Sequence, residues 1–335
     1  MIVRRQVYAR AGLLGNPSDM YGGKVISFLI RDFAARVQLW ESPHLTFRLH
    51  PDHDRAEFAD LADLVASVRR HGYYGMQRLL FATCTRFASY CRERGLPLRK
   101  ANFTLEYETD IPRQSGLGGS SAMIVAALRA LLRFYRIPAR AVPLRALAEL
   151  ALSVETRELG ITAGLQDRVV QSFGGLTYMD FSGRPARCQR LDSSLLPRFG
   201  IAYLTDEQIG QRESGQVHAQ VRYRWEQGDL EVRRVMRQLA RCAELGREAL
   251  RRRDLAELGR LMNRNFDIRR GLFGDAALGQ HTIALVEIAR AAGFPAKLPG
   301  SSGAALVLLD SKEAERALAS AYAARGYRFT AVRGL

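Results

Sequence analysis

Residues 112–122, PRQSGLGGSSA, constrain this chain more than any other stretch. Three glycines and three serines stand directly before an apolar run of helical spacing, Met123 to Tyr135. Upstream, Phe103-Thr104-Leu105-Glu106-Tyr107 alternates as a strand does. Strand, glycine-rich loop and helix, in that order, aim backbone N–H groups and the positive end of a helix dipole at an anion. Gly116, Gly118 and Gly119 let the backbone approach where a Cβ would stand in the way. Ser120 and Ser121 can cap the helix or offer hydroxyls to a metal ion. No lysine follows the glycines as in GxxxxGK[ST], and the spacing is not that of GxGxxG with an acidic ribose ligand. Two readings stand at this point: a phosphate-binding loop, or a glycine-rich turn with a serine cap.

A helix that starts on such a loop needs a core to pack against. With 335 residues, 47% of them hydrophobic and 25% charged, the chain can build one, in two domains or one large one. No run of 18 apolar residues marks a membrane span, and the N-terminal MIVRRQVYARAGLLG has no apolar segment long enough for a signal peptide. Cys84, Cys91, Cys188 and Cys242 form no CxxC pair and no zinc spacing, which points to reduced thiols and a cytoplasmic protein. The net charge of +16 rests on arginine, since only Lys24, Lys100, Lys297 and Lys312 are lysine. Such a field favours anionic ligands: nucleotide, acidic sugar or nucleic acid. The arginines are scattered over helical faces, as at Arg233, Arg234, Arg237 and Arg241, and do not cluster with aromatics. A solvated surface is the expectation there, with no nucleic-acid partner and no membrane partner.

Along the chain, residues 3–14 read as a strand leading into a glycine-punctuated loop, residues 12–23. Residues 25–39 read as a strand broken near Arg31 and Asp32, and residues 45–49 as a short strand. A helical region spans 61–94, ended by Gly95 and Pro97. After the glycine-rich loop and its helix come a helix over 144–158, a loop over 160–164, a helix over 165–173 and a strand over 176–180. Beyond residue 197 the pattern becomes a strand at 201–204, one arginine-rich helical block over 217–265 and a helix at 282–292. A strand at 304–309, a helix at 312–325 and a last strand at 327–332 close the chain. That second half fits a small α+β layer with helices on one face. The expected domains are residues 1–195 and 196–335.

Three motifs carry a resemblance. They are ARAGLLGNPSDMYGG at 9–23, PRQSGLGGSSA at 112–122 and KLPGSSGAALVLL at 297–309. In this order and at these separations they resemble the GHMP kinase superfamily, which includes galactokinase, homoserine kinase and mevalonate kinase. Across GLLGNPSD, HGYYG, ANFTLEYETDIPRQSGLGGSSA, ELGITAGLQDRVVQSFGGL, SGQVHAQVRYRW and NFDIRRGLFGD, the chain most resembles the plant-type glucuronokinase branch. The resemblance implies a two-domain α+β fold. Its N-terminal α/β domain would bear the phosphate loop, and its C-terminal domain would be ferredoxin-like α+β.

The same resemblance implies roles at matching positions. Asp167 in AGLQDR matches the catalytic aspartate, and Arg10 an arginine near the transferred phosphoryl group. Asp19 matches an aspartate that binds sugar hydroxyls. ATP would lie against Pro112, Gly116, Leu117, Gly118, Gly119, Ser120, Ser121 and Ala122, and magnesium against Ser120 and Glu155, which stands twelve residues before Asp167. The glutamate common in the first motif is replaced by Asn16, which departs from a galactose-like pattern. Read without the family, Asp19 is a turn residue, Glu155 a solvated helix position and Asp167 a charge at a helix N-terminus. A uronic acid carries a carboxylate that arginine recognises bidentately, and Arg113, Arg269 and Arg270 are the candidates, each alternatively a surface ion pair. The expected activity is a magnesium-dependent, ATP-using sugar 1-kinase that converts D-glucuronate to glucuronate 1-phosphate. The alternatives are a kinase of galacturonate or a neutral hexose, a nucleic-acid-binding module, and a nucleotide-binding pseudoenzyme.

Overall fold

The structure is a computed structural model that describes residues 1–50, 54, 75–183, 185–205, 207–208 and 214–332. The expected helical stretch before Gly75, and His71 to Tyr74 of HGYYG, lie outside the described residues.

The N-terminal segment alternates into β1 (Ile2–Leu14), which pairs antiparallel with β2 (Lys24–Ser42) from Ile2 opposite Trp40 to Leu14 opposite Ile26. The expected break at Arg31 and Asp32 is a bulge inside one continuous strand: Tyr8 faces Ala34, and its neighbour Ala9 faces Ile30. On the other edge of β2, β4 (Asn102–Thr109) pairs with its C-terminal half and β5 (Leu176–Asp180) with its N-terminal end. The short β3 (Thr46–Phe47) and β6 (Arg187–Leu191), an edge strand the sequence pattern does not reveal, complete a six-stranded sheet. Val25 to Phe28 of β2 are buried without alternation, as they must be where both faces of a sheet are covered.

Helices α1 (Met76–Glu93), α2 (Gly119–Phe134), α3 (Leu144–Ser153) and α4 (Gln166–Phe173) pack with this sheet. α2 buries eleven residues, among them Met123 to Leu128 without a gap, so it is a core helix and not a surface one. The helix expected to run to Glu158 changes at Val154 into a π-helical turn, Val154–Glu158.

A second sheet, in the order β10-β7-β9-β8, is antiparallel throughout and is built from β7 (Arg198–Tyr203), β8 (Ala296–Lys297), β9 (Ala304–Leu309) and β10 (Arg328–Ala331). The single helical block expected over 217–265 is three helices, α5 (Ser214–Glu226), α6 (Leu230–Arg252) and α7 (Leu255–Phe273). The breaks have local causes. Asp229 accepts from the N–H groups of Glu231 and Val232, and Asp254 from that of Glu257, so each aspartate starts a new helix. Four-residue α8 (Asp275–Leu278), α9 (Gln280–Ala291) and α10 (Lys312–Ala323) follow.

The largest hydrophobic cluster joins Leu13, Ile26 and Leu39 of the first sheet to Phe199 and Leu306 of the second and to Ala243 and Leu250 of α6. The halves therefore share a core, and the cleft between their loops has packed walls on both sides. Among the described residues no helix is long and apolar enough to cross a membrane, and all four cysteines are free.

Candidate active site

The three glycine-bearing motifs, spread from residue 9 to residue 309, are joined by main-chain hydrogen bonds. Arg10 N–H donates to Leu117 O at 2.9 Å, and Gly12 N–H donates to Pro299 O at 2.9 Å. A Cβ on Gly300 would overlap the backbone of Gly116, so the third motif can lie behind the loop only as glycine. Around this junction runs a cleft lined by Arg10, Asp19, Arg113, Ser120, Glu155 and Asp167, with the loop from Pro112 to Gly119 as one wall.

α2 begins at Gly118, whose φ of 74° lies in the left-handed region, and no side chain caps its first turn. The expected serine cap is absent because both hydroxyls are engaged elsewhere. Ser121 Oγ donates to Gly118 O at 3.0 Å and Ser120 Oγ to Glu155 Oε1 at 3.0 Å. Among the described residues no side chain caps the first turn, whose residues Gly119 and Ser120 line the cleft, an arrangement suited to an anion.

Arg10 and Asp167 form the floor. The guanidinium donates to both carboxylate oxygens, Nε to Oδ1 and Nη2 to Oδ2, each at 2.6 Å. Arg10 Nη1 donates to Gly116 O and, at 3.2 Å, to Pro299 O, so one side chain ties all three motifs to Asp167. Asp167 sits in the first turn of α4 and keeps 14% of its side chain exposed to the cleft.

Asp19, in the 3-10 turn Ser18–Tyr21, lies beside this pair. Its Oδ2 accepts from Gln166 N–H at 3.3 Å, and its buried Oδ1 has no partner among the described residues. Burial, with the negative charge of Asp167 adding to it, pushes the Asp19 carboxyl up to about 7. Below the ordinary value of 3.8 both folded and unfolded chains carry the proton. As pH rises from there to about 7 the unfolded chain loses it first, so stability falls, and above 7 the cost is complete. Asp19→Asn is therefore expected to stabilise the ligand-free protein by on the order of 4 kcal/mol above pH 7. The gain should fade toward pH 4. Thermal melts of both proteins from pH 4 to 8.5 check this, and a difference constant with pH would contradict it.

Glu155 is not the solvated helix position that its spacing allows. The π-helical turn swings it inward, and it is 4% exposed. Its Oε2 pairs with Arg168, which is equally buried. Among the described residues no group of three or more His, Cys, Asp or Glu side chains could hold a metal. Ser120 Oγ and Glu155 Oε1 nevertheless put two hard oxygens 3.0 Å apart beside the N-terminus of α2. That donor set suits a magnesium ion that takes its remaining ligands from phosphate and water.

The three candidate arginines separate. Arg113 lines the cleft, half-buried, and its guanidinium makes no hydrogen bond or ion pair with another described residue. Arg269 is 1% exposed, and its guanidinium is used by main-chain oxygens, Gly300 O at 2.7 Å and Ser301 O at 3.2 Å. Burial holds it down to about 10. It braces the third motif. Arg270 lies outside the cleft, bonded to both Asp275 oxygens at 2.6 Å and to Glu287 at 2.8 Å.

Two residues that sequence reasoning did not single out belong to the site. Lys297 is fully buried and donates to Gly12 O and to Asn16 Oδ1, each at 2.7 Å. Burial, with the charges of Arg269 and Arg10 behind it, holds the amine well below its ordinary value. The Asn16 amide, donating in turn to Leu298 O at 3.3 Å, is spent on the protein's own backbone. A lysine opening the third motif was the available signal. Arg168 was visible only as the neighbour of Asp167.

Residues 81–175 match the family model of the GHMP kinases N terminal domain, and residues 247–328 that of the GHMP kinases C terminal domain. The chain is 45% identical over 313 residues to probable glucuronokinase 2 of Arabidopsis thaliana, an alignment covering 91% of this chain and 84% of that protein. It is 44% identical over 311 residues to glucuronokinase 1 of the same plant, with the same coverage. Among solved structures, the mevalonate kinase of Methanococcus jannaschii is similar across 100% of this chain and 98% of its own, with a TM-score of 0.72 at 18% identity.

Proposed function

The chain belongs to the GHMP kinase family, and from that premise we propose that it transfers the γ-phosphoryl group of ATP to the anomeric hydroxyl of D-glucuronate. It is a sugar kinase. The observation that carries the finer reading is the Arg10–Asp167 pair at the floor of a cleft whose wall is an uncapped helix N-terminus, with Arg113 lining it and unpaired among the described residues.

The loop residues Gly116 to Ser120, which line the cleft, hold the phosphates through backbone N–H groups, and Pro112 fixes the entry of the chain. The expected contacts of Ser121 and Ala122 are not available, because both are buried off the cleft and the Ala122 N–H donates to Gly118 O at 3.0 Å. Ser120 and Glu155 would hold a magnesium ion, which would supply positive charge against that of the phosphates. Asp167 accepts the proton of the anomeric hydroxyl, or orients that hydroxyl for in-line attack. Arg10 holds the Asp167 carboxylate through two hydrogen bonds and places positive charge beside the position of the moving phosphoryl group. Asp19 offers its unpartnered oxygen to sugar hydroxyls, and Arg113 takes the substrate carboxylate. No covalent intermediate is needed, because positioning and charge stabilisation suffice for a direct transfer.

The direct test is coupled ADP release across glucuronate, galacturonate, glucose and galactose. Turnover highest on glucuronate supports the reading; a preference for a neutral hexose removes glucuronate as substrate and leaves the kinase. For the metal, Ser120→Ala and Glu155→Gln are each expected to raise the half-saturating magnesium concentration several-fold. Each variant deletes one of two hard ligands. A magnesium titration that is unchanged in both would remove the assignment.

A further inference from the structure

The oxygens the proposed metal site would use are already engaged in the protein: Ser120 and Glu155 Oε1 by each other, and Glu155 Oε2 by Arg168. Arg168, in the first turn of α4, is 4% exposed. It pairs with Glu155 Oε2, lies 3.7 Å from Asp167 Oδ2, and anchors on Gly164 O at 2.8 Å. The other oxygen of Glu155 is held by Ser120. Arg168 also lines the cleft, so its bridge between the two carboxylates stands at the wall where the ion would sit.

We propose that Arg168 is a positioning residue that acts as a built-in counter-ion: it occupies Glu155 and steadies Asp167 in the nucleotide-free protein, so that a divalent cation enters with the triphosphate and not before it. The proposal rests on the reading of Glu155 as a metal ligand.

The physical case is one of charge. Without nucleotide, an ion arriving at Glu155 meets the cations Arg168 and Arg10. Their two acidic partners are already neutralised, so repulsion in a partly buried site opposes entry. A triphosphate brings enough negative charge to reverse that balance while Arg168 stays in place. Removing the guanidinium leaves Glu155 without its partner, next to Ser120 Oγ and within reach of the Asp167 edge. Those are the hard oxygens a free divalent cation collects. Asp19, the other acid near Arg168, is engaged through its Oδ2 by Gln166 N–H.

The test uses Mn2+ as the probe, followed by electron paramagnetic resonance on nucleotide-free protein. Wild type is expected to bind Mn2+ weakly, and R168Q at least tenfold more tightly. R168K, which keeps the charge but cannot bridge two carboxylates at once, should fall between them. The double variant E155Q/R168Q should lose the gain. Equal Mn2+ affinity in wild type, R168K and R168Q would overturn the proposal, as would a gain that survives in E155Q/R168Q. R168K guards against a folding failure of R168Q, because the intermediate affinity is read on it alone against wild type.

Kinetics give a second readout. R168Q should lower kcat, since Glu155 and Asp167 lose their brace, while the half-saturating magnesium concentration falls; a merely structural lesion would lower kcat and raise the magnesium requirement. If no sugar is phosphorylated by wild type, the kinase reading fails, yet the Mn2+ comparison still decides the role of Arg168.

Discussion

Asp167→Asn is expected to lower kcat ~10²–10⁴-fold while ATP still binds, the range that a general base or orienting group contributes. The carboxylate accepts from Arg10 through both oxygens at 2.6 Å and keeps a side exposed to the cleft. An amide has one acceptor oxygen, and its NH2 group would face a guanidinium N–H. Either the amide turns away or Arg10 does, and both movements take a charged partner from the reacting hydroxyl. ATP binding should persist, because the donors of the phosphate loop are backbone N–H groups and its shape rests mainly on Gly116, Gly118 and Gly300, with Arg10 adding one bond to Gly116 O. Arg10 retains Gly116 O and Pro299 O as acceptors, so the protein should fold with a lowered melting temperature. The measurement pairs single-turnover kinetics with equilibrium binding of a fluorescent ATP analogue. Turnover like that of wild type would show that another group activates the sugar hydroxyl.

Arg113→Ala is expected to reduce kcat/KM for glucuronate by about ten- to a hundred-fold, because a hydrogen bond to a charged group is worth roughly 1.5–3 kcal/mol. The value for glucose should change little. Of the three arginines considered, Arg113 is the one that lines the cleft with a guanidinium unengaged among the described residues. Arg269 is spent on the third motif and Arg270 on Asp275 and Glu287. The pair of values for Arg113→Ala and wild type on the acidic and the neutral sugar decides the matter. If the preference for glucuronate survives the substitution intact, the carboxylate is held elsewhere, and not by the amides of Gly12 and Gly15, which donate to Pro299 O and Asn265 Oδ1. Arg270→Ala serves as the control, since it deletes an equal charge outside the cleft.

Much of the fold was legible because its signals are local. Glycines before an apolar run announce the loop and α2, alternation announces β1 and β4, a continuous apolar run announces β9, and Asp229 and Asp254 carry the caps that divide the long helical block, although its arginine-rich periodicity hid those stops. β6 was not legible. Arg187 to Leu191 is an edge strand with little burial, so its residues carry no hydrophobic alternation to read. Glu155 was legible as a candidate but not as a buried one, because a π-helical turn changes which face of the helix it occupies, and residue spacing assumes a constant turn.

What the sequence by itself determined is the set of parts: a glycine-rich loop ahead of a core helix, two further motifs, and a pool of arginines and carboxylates. Their chemistry and chain order follow from residue type and short-range spacing. Only the tertiary structure decided which parts meet. Arg10 reaches Asp167 across 157 residues, and Lys297 reaches Asn16 across 281. Arg269 and Arg270 are neighbours in sequence, yet one is buried beneath the third motif and the other faces solvent. The reason is geometric: consecutive residues on a helix point about 100° apart, and which direction is inward depends on what packs there. Here that is set by the third motif, carried in by β8 and β9, whose backbone supplies the oxygens that hold Arg269.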